Sequence, residues 1–144
     1  MTFNSKMPLV QHPSTRLTAQ NELAIRILYF FLVIAGKDSS SFQTFHSTIG
    51  QMIHEGKLKD LDDPDTVFAL FEYHSSFKEK SFLLLVDEPM ILQHPLDPLI
   101  SEKEFVEFLK SVFMLQERKF RSIPVVFSTL NHRMFDKVGG FSFF

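Results

Sequence analysis

The chain of 144 residues has no cysteine, no tryptophan, 2 tyrosines and 5 glycines. Without cysteine it can form no disulfide, no thiolate nucleophile and no thiolate zinc site; the compartment stays open, because a secreted chain need not carry disulfides. Long hydrophobic runs are missing as well. The longest, Ile27 to Ala35, falls short of the ~20 residues needed to cross a bilayer. It also lies behind Gln20-Asn21-Glu22, too far along the chain for an ordinary secretory signal. No transmembrane segment is expected.

Charge of one sign is lacking too: 15 Lys and Arg against 17 Asp and Glu leave a formal net charge of -2. No cluster of basic residues stands out, which argues against a nucleic-acid-binding face. The histidines at 12, 46, 54, 74, 94 and 132 form no H-x-x-x-H pair, and no G-x-S-x-G elbow occurs. They read as surface or helix-face residues, with His94 the one nearest to candidate chemistry. Asp60-Leu61-Asp62-Asp63-Pro64-Asp65 is no EF-hand loop, because Pro64 stands at a ligand position and Phe71 where a bidentate Glu is needed. It fits a helix start, with Asp62 or Asp63 as cap and Pro64 in the first turn.

What the chain has is phenylalanine, 18 of them, in a composition that is 44% hydrophobic and 22% charged, as in a globular domain with an aromatic core. Ala24, Ile27, Leu28, Phe31 and Ala35 make a helical stripe over 18–35, capped by Gly36. Further apolar residues on its other sides predict a helix buried nearly all round. A second helix is expected over 41–55, closed by Gly56, and a third, short one carries Val67, Leu70, Phe71 and His74 on one face. Ser101 and Glu104 read as a capping box for a fourth helix, reaching about Phe120.

Between these helices, Phe82-Leu83-Leu84-Leu85-Val86 ends abruptly in Asp87-Glu88. A short apolar run of this kind reads as a strand buried on both faces of a parallel sheet. Ligands of open α/β sheets bind outside the carboxyl ends of the strands. An Asp followed by a Glu at that place resembles the Walker B pattern of nucleotide hydrolases, which implies Asp87 on Mg²⁺ and Glu88 as activator of water. Apolar strands also end in carboxylates simply because the chain emerges into water. Pro89, Pro95 and Pro98 stiffen the loop that follows. Ile123-Pro124-Val125-Val126-Phe127 is a second strand, ending in Ser128-Thr129-Leu130-Asn131. Strand, helix and strand at this spacing form a right-handed crossover with parallel strands, so both polar ends share one edge of the sheet. Arg133 beyond it is a possible phosphate contact, though a lone Arg there is more often solvated.

Glu22 to Tyr29, Phe82 to Glu88 and Val125 to Asn131, in this order, resemble the nucleotide-hydrolase region of Crinkler effectors and retrotransposon hot spot proteins, which are similar to P-loop NTPases of the STAND and AAA-like type. The resemblance implies ATP and Mg²⁺ at the sheet edge, Asp87 on the metal, Glu88 as catalytic base, and Ser128, Thr129 or Asn131 as the sensor of the terminal phosphate. For a Crinkler effector it further implies action inside a host cell, usually in the nucleus; otherwise an intracellular location. The sequence departs from the pattern in having no G-x-x-x-x-G-K-[ST]: Gly36-Lys37 is followed by Asp38 and Gly56-Lys57 by Leu58. Asn131 stands where many relatives have Asp. The expectation is a three-layer α/β fold with a small parallel sheet, a partial P-loop NTPase core over 18–131 behind an irregular segment 1–17 and ahead of a tail 132–144. Such a piece would be a weak or inactive hydrolase alone. The alternative is a non-catalytic interaction module, partnering other domains or itself through an exposed sheet edge.

Overall fold

The computed structural model describes the backbone of residues 2–4 and residues 17–61, 63–87, 100–119 and 121–128. Helix α1 (Ala19–Ile34) starts where Thr18 and Asn21 exchange side-chain and backbone hydrogen bonds, a capping box that satisfies amides left open in the first turn. It ends at Gly36, whose φ of +68° is open to glycine at no steric cost. Helix α2 (Phe42–His54) is capped by Ser41 and closes the same way at Gly56, with φ +72°. Helix α3 (Pro64–Phe71) takes Asp63, not Asp62, as its cap: the carboxylate accepts from the Thr66 amide at 2.9 Å.

Helix α4 (Glu102–Gln116) begins with Ser101 accepting from the Glu104 amide at 3.1 Å. The Glu104 carboxylate accepts from the Ala19 amide at 2.9 Å, so it ties the starts of α1 and α4 together. The helix stops at Gln116, short of the expected Phe120; just beyond it Arg118 pairs with Asp65 of α3 and with Glu72 after that helix.

The sheet is small and parallel: β1 (Thr2–Asn4), β2 (Leu84–Asp87) and β3 (Val125–Ser128), with β2 in the middle. Segment 1–17, expected to be irregular, thus contributes a strand ahead of the first helix. The β2–α4–β3 crossover and its parallel pairing match expectation. Burial on both strand faces does not. Leu84 and Val86 are fully buried, whereas Leu83 is 50% and Val126 47% exposed. Alternation along the strands puts Phe82, Leu84, Val86, Val125 and Phe127 on one face, against the helices, and Leu83 and Val126 on the other.

The aromatic core sits between that covered face and the helices. Phe31 of α1 touches the rings of Phe68 and Phe71 of α3 and of Phe77 and Phe82 before β2, with centroids 4.8–5.3 Å apart. Phe113 of α4 meets Phe127 of β3 at 5.6 Å. On α3 the buried pair is Val67 and Phe68, while Leu70 faces solvent, a rotation of the expected stripe. Among the described residues no helix is long and apolar enough to cross a membrane.

Candidate functional site

Strand register builds the site. Asn4 of β1 pairs with Asp87 of β2, and Asp87 with Ser128 of β3, so three polar residues form a row at the carboxyl edge of the sheet. Neighbouring strands are about 4.8 Å apart, which places Ser128 within side-chain reach of Asp87. Asp87 is half-buried and Ser128 exposed, and the strand alternation puts both on the face of Leu83 and Val126, opposite Leu84 and Val86. The row follows from composition: the apolar run pins Leu84 and Val86 inside, and the next residue on each strand leaves the core.

A carboxylate held there is a ligand for a hard cation, which takes oxygen donors and keeps several waters. The adjacent hydroxyl is a donor and acceptor for a phosphate oxygen or a water. Among the described residues no three or more His, Asp or Glu side chains group to hold a metal. Glu88, Thr129 and Asn131, with His94 and Arg133, lie outside the described residues. The structure therefore brings Asp87 and Ser128 together and adds Asn4, a residue that sequence reasoning passed over. Its signal was weak: Thr2-Phe3-Asn4 is too short to show a period.

Two other polar constellations went unread. His46 of α2 and Glu22 of α1, 3% and 1% exposed, meet inside the core, with His46 Nε2 at 2.9 and 2.8 Å from the two carboxylate oxygens. Arg26, one turn along α1, has its pKa lowered by burial, against the attraction of Glu22. The available signal was Glu22 itself, a carboxylate on a helix with apolar groups on nearly every side. Buried and hydrogen-bonded to each other, the two side chains read as a structural pair.

The second constellation joins α3 to the chain after α4. Arg118 binds Asp65 and Glu72 and lies over the Phe68 ring, 4.9 Å from its centroid. Burial lowers its pKa, but the hydrogen bonds it donates to Glu72 and Asp65, with their negative charge, outweigh that, and the net shift is upward. Arg121 donates to the backbone carbonyls of Glu72 and Lys80 and covers Phe82 at 5.3 Å. Neither motif touches the Asp87 row. The chain matches no protein-family model, no curated protein and no solved structure.

Proposed function

We propose that this chain is a partial nucleotide-hydrolase core of the P-loop type, similar to that of Crinkler effectors and retrotransposon hot spot proteins, with ATP and Mg²⁺ as the ligands of the Asp87 row. The observation that supports it is the shared register of Asp87 and Ser128 at the carboxyl ends of adjacent parallel strands joined by a helix, the place where open α/β sheets bind ligands. In this reading Asp87 holds the Mg²⁺ shell and Glu88 orients and deprotonates water. Ser128, Thr129 or Asn131 contacts the terminal phosphate. Leu83 and Val126 mark the face on which the third layer of such a fold would pack.

Phosphoryl transfer depends on positioning and on stabilising phosphate charge. This chain has no G-x-x-x-x-G-K-[ST] to cradle the phosphates, so we expect weak binding and little or no turnover from it alone. Calorimetric titration of the purified chain with ATP and Mg²⁺ tests the reading. Weak but saturable Mg²⁺-dependent binding, weakened further by Asp87→Ala, is the expected result; a folded chain that binds no ATP contradicts it. Should turnover be seen, it must disappear in Glu88→Gln.

A second reading is favoured by one observation, the exposure of Leu83 and Val126 on the open sheet face. Exposed apolar groups on a sheet, flanked by an outer strand, suit a non-catalytic module that pairs with another domain or a second copy. Absence of ATP binding together with concentration-dependent association of the chain favours this reading over the first.

A further inference from the structure

At the opposite, amino-terminal end of the strands a cleft of about 350 Å³ opens between the segment before β2 and the segment before β3, within the size range of small-ligand sites. Its walls carry Lys78, Lys80 and Arg121 against one carboxylate, Glu79. In a chain of net charge -2 this is a local excess of positive charge. Neither lysine is ion-paired among the described residues, and both are exposed.

Arg121 is held on the wall of the cleft by the Phe82 ring and two backbone carbonyls. It is not glycine, yet its φ is +61°, a left-handed conformation that side chains disfavour and that tends to persist at ligand sites. Its guanidinium carbon lies 5.3 Å from the Phe82 ring centroid, and it donates to two carbonyl oxygens, that of Lys80 at 2.6 Å. Carbonyls occupy two of its five donors and leave its charge uncompensated. The nearby Glu72 carboxylate, which would neutralise it, is taken by Arg118. A planar cation with spare donors and a locked orientation suits oxyanion recognition. Ser81 and Ser122 add exposed side chains, and the exposed Pro124 ring gives the cleft an apolar side.

We propose that this cleft binds a phosphate monoester carried on a small apolar or aromatic body, with Arg121, Lys78 and Lys80 on the phosphate and Pro124 against the body. Leu84 to Asp87 spans about 10 Å of strand, so the cleft is separate from the Asp87 row and independent of the nucleotide reading.

The test is titration of the full chain with phenyl phosphate, with inorganic phosphate as comparison, followed by amide chemical shifts. Saturable binding is expected, at least threefold tighter for phenyl phosphate, with shifts at residues 78–82 and 121–124. Lys78→Gln combined with Lys80→Gln should weaken it fivefold or more, and Asp87→Ala should leave it unchanged. Because Arg121 also braces the chain and Arg121→Gln could unfold it, the exposed lysines carry the test. Failure of phenyl phosphate to bind, binding indifferent to the lysine changes, or loss of binding in Asp87→Ala would each overturn the proposal.

Discussion

Glu22 and His46 show what a buried polar pair does for a residue that cannot reach water. An ionised carboxylate inside a core is costly unless hydrogen-bonded and paired, and here one imidazole nitrogen serves both oxygens. The pair need not add net stability, since well-packed apolar replacements of such pairs are often neutral. Removing one partner is different. His46→Ala leaves the Glu22 carboxylate without its donor and opens a void, and should cost about 3 kcal/mol. Urea unfolding at unchanged m-value would read this, and joint replacement of Glu22 and His46 by Met and Leu should cost less than His46→Ala alone. A single-variant loss below about 1 kcal/mol, the scale of an ordinary hydrogen bond, would show the pair to be dispensable.

Elements are held together by phenylalanine more than by charge. Phe31 is the point where α1, α3 and the segment leading into β2 meet, and it is fully buried. Phe31→Ala should cost about 3–5 kcal/mol, the range for deleting a buried aromatic ring, and lower the thermal midpoint accordingly; a cost near 1 kcal/mol would mean the surrounding rings collapse into the space. The elements differed in how far the sequence disclosed them. Helices with a cap, a period and a terminal glycine were legible: Thr18, Ser41, Ser101, Gly36 and Gly56 do what their residue types suggest. The eight-residue α3 was less so, because a helix that short fits two stripes, and packing chose Val67 and Phe68 over Leu70. In the run from Phe82 to Val86, which leads into β2, five apolar residues in succession hid an alternation, since leucines on the open face look the same as leucines inside. Three-residue β1 owes its conformation to pairing with β2, a contact across 83 positions, as in Thr2 with Leu85, which no local pattern reports. For the site, Asp87 and Ser128 could be read from where the apolar runs stop. His46 and the Arg118 and Arg121 contacts could not, because each partner comes from a distant part of the chain.

At the scale of the whole molecule, a small parallel sheet is covered by helices on one face, carries polar residues at its carboxyl edge and has a basic cleft at its amino edge. The two ends are chemically opposite: carboxylate and hydroxyl at one, lysines and arginine at the other. That separation makes the central claim, a nucleotide–Mg²⁺ site at the Asp87 row, testable by location and not by affinity alone. The direct measurement is the change in backbone amide shifts when Mg²⁺ and ATP are added to the isotopically labelled chain, repeated with Asp87→Ala. The account predicts the largest Mg²⁺-dependent changes at Asn4, Asp87 and Ser128, and their loss in Asp87→Ala. Changes confined to residues 78–82 and 121–124, or none at all in a folded chain, would contradict it.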